Sequence, residues 1–237
     1  DLAELSLYAQ NAMELAEKRG GDQVVVNIEN QEIAYFGAKL DQESSNSKVG
    51  ARIKAENFKK VINHADEIYV MGHMNADTDA YAGMLGLTKL LLADGKEKTY
   101  MVIDEERLDN TVQKINSIVT QEDPSILEHQ MRSEDVIKKA NKNGLLIVVD
   151  TQSMKLVSSI DVFNYFERKA VIDHHRATED SFSGVFEYLE PTASSTSELL
   201  IELMEFYQTK KTKISPLVAS VMYSGILVDT NNFAHRT

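Results

Sequence analysis

From residue 67 onward, short unbroken apolar runs alternate with longer stretches in which apolar residues recur at helical spacing. EIYVMG (67–72) precedes a stretch from Asp79 to Ala93 in which Ala80, Met84, Leu87 and Leu91 supply an apolar face. TYMVI (99–103) precedes a longer helical region and GLLIVVD (144–150) precedes another, while KAVID (169–173) and VFEYLE (185–190) complete the set. Runs that are apolar throughout belong in strands covered on both sides. This part of the chain therefore predicts an α/β fold, a mainly parallel sheet with helices on both faces.

The first residues follow another pattern. Leu2, Leu5, Ala9, Ala12, Met13 and Ala16 suit one face of a helix over 2–18, and QVVVNI (23–28) and EIAYFGA (32–38) predict a hairpin. KLDQESSNSKVG is polar, serine-rich and without periodicity. The expected organisation is a small α+β fragment over 1–40, a linker over 41–54 and the main domain over 55–237.

Composition adds limits. At 237 residues and 43% hydrophobic content, the chain can bury a substantial core. No stretch approaches the ~20 consecutive apolar residues of a membrane span, and the first twenty residues lack a signal-peptide pattern. The absence of cysteine excludes disulfides and thiolate metal sites. A net charge of -12 argues against duplex nucleic acid as a partner, and admits a small anion only where local cations reverse the field.

In open α/β sheets, ligands bind beyond the carboxyl ends of the strands. Three predicted strands lead into GHMNADTD (72–79), DTQ (150–152) and DHH (173–175), and Asp229 of ILVDTNNF closes a further apolar segment. Asp77 or Asp79 alone reads as a helix cap, and one strand-end aspartate is ordinary. Together with His73 and His174 they supply ligands for two metal ions, and ionised carboxylates near a buried sheet need such partners. Carboxylate and imidazole without sulfur suit Mn²⁺ first, with Fe²⁺ or Co²⁺ as substitutes. Asp77, Asp79, Asp150 and Asp229 would offset the charge of two divalent ions, leaving His175 and Arg176 to attract an anion. Two ions about 3.5–4 Å apart activate a water for in-line displacement at phosphorus. Ser195-x-x-Glu198 reads as a capping box, and His235 and Arg236 remain weak substrate candidates.

HMNADTD, DTQ, DHHR and VDTNNF resemble the four signature motifs of the DHH phosphoesterases, in the family's order and over about Ala55 to Thr237. Within it, VIDHHRATEDSFSGVFEYLEPTASSTSELLIELM resembles the GdpP type, membrane-bound bacterial phosphodiesterases acting on cyclic di-AMP. AMELAEKRGGDQVVV with the following hairpin resembles the tail of their degenerate GGDEF domain, so Gly20, Gly21 and Asp22 read as a helix-to-strand turn, not as cyclase residues.

The resemblance implies that His73 and Asp77 bind one manganese, Asp79, His174 and Asp229 the other, and Asp150 bridges them. His175 would contact the substrate phosphate with Arg176 nearby, Asp173 would orient a histidine, and Asn75 would lie near the metals. The implied activity is hydrolysis of cyclic di-AMP to linear pApA by a water held between two Mn²⁺ ions. The implied setting is a homodimer, in the cytoplasmic part of a bacterial membrane protein whose anchoring segments lie outside this sequence. Alternatives are the same chemistry on pyrophosphate or short oligoribonucleotides, or a catalytically inactive nucleotide-binding or dimerisation module. Two departures stand out: Gln152 occupies a position where relatives often carry histidine, and the DHH-associated substrate domain is not in this sequence.

Overall fold

The computed structural model describes residues 5, 6, 8–13, 24–27, 34–36, 47–207 and 213–234. The chain divides into one unit covering residues 1–47 and another covering Lys48–Arg236. In the first, residues 8–13 are helical and β1 (Val24–Val26) pairs antiparallel with β2 (Ala34–Phe36), Val24 opposite Phe36. The residues joining them, the RGGDQ segment and the chain's last three residues, including His235 and Arg236, lie outside the described residues.

The second unit starts with α1 (Ser47–Asn63), so residues 47–54 of the expected linker are the first turns of a helix. The reason is a stripe at helical spacing, Ala51, Ala55, Phe58 and Ile62, all buried. Phe58 packs its ring 5.0 Å from Phe186 and 5.8 Å from Tyr207, which fixes the helix to the main unit.

Six strands follow: β3 (Ile68–Met71), β4 (Thr99–Val102), β5 (Gln130–Met131), β6 (Leu145–Val149), β7 (Arg168–Asp173) and β8 (Phe186–Leu189). Their order is β5-β4-β3-β6-β7-β8 and every neighbouring pair is parallel. The intervening helices are α2 (Thr78–Ala93), α3 (Asn110–Glu122), α4 (Ser133–Lys139), α5 (Ile160–Tyr165), α6 (Thr196–Tyr207) and α7 (Pro216–Asp229). Strand alternation sends Ile68, Val70, Ile147, Val149 and Ile172 into a core with α1, α2, α6 and α7. It sends Tyr69, Met71, Leu146, Val148 and Val171 into a second core with Val136 of α4 and Val162 and Phe163 of α5. Helices thus cover both faces, as the unbroken apolar runs require.

The long helical region expected after β4 is divided. Asp109 caps α3, accepting from the Thr111 and Val112 amides at 2.6 and 2.8 Å. Pro124 then stops the regular helix, because proline disfavours helical backbone in the residue before it and has no amide to donate. A 3₁₀ stretch (Pro124–His129) delivers the two-residue edge strand β5 before α4 begins.

From β3 the order runs outward through β4 and β5, and from β6 it runs the other way through β7 and β8. The sheet's switch point therefore lies between the carboxyl ends of β3 and β6. Helix α2, buried on nearly every side, packs above it against α6 and α7. Gly86 permits the close α2 to α7 approach, since a Cβ there would meet Met222 Sδ at 2.5 Å. Among the described residues no helix is long and apolar enough to cross a membrane.

Replacing Phe58 with alanine removes a fully buried ring at the junction of α1, β8 and α6. The expected cost is about 3–5 kcal/mol, read as a lower midpoint in urea unfolding.

Candidate metal centre

The loop after β3 places His73 with its Nδ1 at 2.9 Å from the Met74 carbonyl oxygen. A proton on Nδ1 satisfies that oxygen, and Nε2 is then the nitrogen that faces acids: Asp77 Oδ1 at 3.7 Å and Asp150 Oδ2 at 3.5 Å. Asp77 is also the cap of α2, accepting from the Asp79 and Ala80 amides at 3.0 Å each. Cap and candidate ligand are therefore the same side chain.

Asp150 follows β6 with φ 62°, a left-handed conformation uncommon for a residue with a Cβ. This turn ends the strand at the switch point, and the buried carboxylate divides its oxygens. Oδ2 faces His73, while Oδ1 lies 3.6 Å from His174 Nε2 and accepts from the Thr196 hydroxyl at 2.8 Å.

His174, just past β7, also lies 3.3 Å from Asp229 Oδ2 through its Nε2. Asp229 comes from the last residue of α7, so the fourth motif is a helix end where the first three are strand ends. Ser215 caps that helix and Pro216 opens it, while Val218, Val221, Met222 and Gly225 give it a helical stripe. Asp79 sits in the first turn of α2, fully buried, with Oδ2 accepting from the Thr196 amide at 2.7 Å and Oδ1 from the Ser197 amide at 3.0 Å. Gly225 makes room for it: a Cβ there would meet Asp79 Oδ1 at 2.8 Å.

Two sets of ligand atoms result, His73 with Asp77 and Asp150, and Asp79 with His174 and Asp229; a third, Asp150 with His174 and His175, overlaps both. These are residues that could hold a metal ion. The fit is supported by the buried His174 Nε2, which meets carboxylates but makes no hydrogen bond.

Asp173 is buried and accepts at Oδ1 from the His175 amide at 3.1 Å and from His175 Nδ1 at 2.7 Å. Its partner's ring is more than half exposed and, with Arg176, lines a cavity of about 440 Å³ that also reaches His73, Asp150, Gln152 and Leu156. Asn75 is exposed and left-handed at φ 55°; it shapes the loop outside the three ligand sets.

Burial and neighbouring charge work against each other here. Burial alone lowers the His73 imidazole, but the Asp150 and Asp77 carboxylates beside it push it up to about 10. Burial likewise opposes a proton on His174, yet Asp229 and the charge of Asp150 push it up to about 9. Burial and then the charge of Asp150 push the Asp79 carboxyl up to about 7, against hydrogen bonds from Ser197. For His175 the hydrogen bond to Asp173 is the main cause of a raised value. Without a cation, protons on the histidines offset the clustered acids.

Two functional details escape a reading by motif. Thr196 belongs to a run read as a helix start, and the capping holds in part: the Glu198 amide donates to Ser195 Oγ at 3.0 Å, but the Glu198 carboxylate accepts from Ser194 instead of Ser195. Nothing in that pattern signals that Thr196 touches Asp79 and Asp150. Gln152, flagged for departing from histidine, is buried and donates from Nε2 to the His175 carbonyl at 2.7 Å, holding the turn that carries His175 and Arg176.

A doubly wound parallel sheet with carboxylates and imidazoles at its switch point that could hold a metal ion defines the class as α/β. Residues 67–226 match the DHH family, N-terminal domain, and the chain belongs to that family. It is 41% identical over 98% of its length to "Membrane protein-large ribosomal subunit bL9 fusion protein" of Onion yellows phytoplasma (strain OY-M), covering 27% of that protein. It is 33% identical over 100% of its length to "Cyclic-di-AMP phosphodiesterase GdpP" of Bacillus subtilis (strain 168), covering 36% of that protein. The chain thus spans about a third or less of these relatives' length. An exopolyphosphatase-related protein from Bacteroides fragilis shares the fold, with a TM-score of 0.59, 23% identity, and coverage of 78% of this chain and 52% of that one.

A divalent ion binding here would displace protons from His73 and His174, so affinity for Mn²⁺ should rise with pH up to about 10, the value to which the neighbouring acids push His73. Calorimetric titrations from pH 6 to 9, in buffers of different ionisation enthalpy, should show proton release that shrinks as pH rises. A pH-independent isotherm would contradict this.

Proposed function

We propose that this chain is the metal-binding part of a phosphodiesterase that hydrolyses cyclic di-AMP to linear pApA. The observation that carries the reading is that Asp150, at the switch point of the sheet, groups with His73 and Asp77 on one side and with His174 on the other, while His174 also groups with Asp79 and Asp229. Similarity along the whole of this chain to 36% of a protein named as a cyclic di-AMP phosphodiesterase supports the substrate.

On this reading His73, Asp77 and Asp150 hold one divalent ion, and Asp79, His174 and Asp229 hold a second, with Asp150 between; Mn²⁺ is the first choice. When bound, the pair supplies Lewis-acid activation of a water and charge for the developing oxyanion. The chain's own residues do the rest. Asp173 fixes the His175 ring through Nδ1, so Nε2 is left to donate to a phosphate oxygen. Gln152 holds the His175 carbonyl and with it the position of Arg176, whose charge draws the anion into the 440 Å³ cavity. In the reaction the water oxygen joins phosphorus, the bond from phosphorus to one ribose 3′-oxygen breaks, and that oxygen leaves with a proton. The same reading makes residues 1–40 the tail of a degenerate GGDEF-like domain, and the whole protein a homodimer whose catalytic part faces the cytoplasm.

Asp150→Asn keeps the side chain's size but removes the shared charge. In the full-length protein with Mn²⁺, the expected loss is at least about 10³-fold in turnover of cyclic di-AMP, together with loss of paired ion binding. Parallel assays on pyrophosphate and a short oligoribonucleotide test the substrate, and faster turnover of either overturns it. Binding of cyclic di-AMP without any turnover would instead identify an inactive nucleotide-binding module.

A further inference from the structure

Thr196 is fully buried at the first position of α6 and touches one carboxylate from each ligand set. Its amide donates to Asp79 Oδ2 at 2.7 Å and its hydroxyl to Asp150 Oδ1 at 2.8 Å. The helix start does not need that hydroxyl, because Ser195 Oγ already accepts from the Glu198 amide. The hydroxyl proton is spent on an acid that lies 46 residues away in the chain.

A carboxylate on an sp³ carbon turns over a broad, two-fold torsional profile, so Asp150 does not by itself hold one oxygen toward His73 and the other toward His174. With Thr196 occupying one lone pair of Oδ1, the plane is fixed and the oxygens stay divided, Oδ2 at 3.5 Å from His73 Nε2 and Oδ1 at 3.6 Å from His174 Nε2. Released, the group can turn both oxygens toward one cation and leave the other a ligand short.

We propose that Thr196 is a positioning residue whose hydroxyl divides the Asp150 carboxylate between the two cation positions, so that binding of the second divalent ion depends on it. The inference rests on the two-cation reading above and deepens it. Thr196→Val keeps the shape and removes the donor, whereas Thr196→Ser keeps the donor.

The test uses the chain with Mn²⁺ alone as the probe, followed by calorimetry and by the paramagnetic resonance signal of paired manganese, with melting temperature measured in cation-free buffer. Wild type and Thr196→Ser should bind two Mn²⁺ and show the paired signal. Thr196→Val should keep the first binding event, weaken the second by about 10- to 100-fold and lose the paired signal. A Thr196→Val isotherm and signal equal to wild type, with or without a lower melting temperature, overturns the inference and leaves the two-cation reading standing. A wild-type chain that binds fewer than two Mn²⁺ overturns that reading, and this inference with it.

Discussion

The structure depends on keeping several carboxylates together in a place that water hardly reaches. Asp79, Asp150 and Asp173 are all buried at one end of the sheet, and an isolated charge there costs several kcal/mol. The chain meets that cost with oriented donors. Two amides at the start of α6 serve Asp79, the Thr196 hydroxyl serves Asp150, and the amide and ring of His175 serve Asp173. These donors do not fully compensate, since the Asp79 carboxyl is still pushed up to about 7 by burial and the charge of Asp150. The buried Asp79 and Asp150 carboxyls and the His73 and His174 rings all hold protons more tightly than usual, and those protons are what a bound cation would displace.

The fold supplies the frame for that cluster. Two of the acids are delivered by helix ends, Asp77 as the cap of α2 and Asp229 as the last residue of α7. Their spacing is therefore set by helix packing rather than by loop conformation. The approach of α7 to α2 runs over two glycines: Gly86, where a Cβ would displace the flexible end of Met222, and Gly225, where it would meet the buried Asp79 and Ser197. The core and the site are coupled at Gly225, where one added methyl would press on a buried carboxylate.

Much of this was legible in the chain because its signals are local. Unbroken apolar runs give buried parallel strands, and the polar residues that follow them fall at one end of the sheet by topology alone. His73, Asp77, Asp79, Asp150 and His174 could be read that way. Other parts were hidden for identifiable reasons. Asp229 closes the apolar segment ILVD, which by itself names no element; the Ser-Pro start and the Val218, Val221, Met222 stripe make it a helix end. The first turns of α1 were obscured by a serine-rich start whose periodicity emerges only from Ala51 onward. Thr196 gives no local sign at all, since its partners are 117 and 46 residues away.

The charge of -12 on this sequence has to be reconciled with the anionic substrate proposed above. Long-range steering cannot bring a phosphodiester to such a surface, so the attraction has to be local. His175 and Arg176 stand on the same turn at the wall of the cavity, and the Asp173 pairing favours the charged form of the histidine. Opposite them, Asp77 and Asp150 line the same cavity with negative charge. Two divalent ions would cancel the four acids of the ligand sets, leaving at the cavity wall His175 paired with Asp173, and Arg176 beside them. On the proposed function, occupancy by cations would do more than activate water: it would decide whether a substrate phosphate is repelled or drawn in.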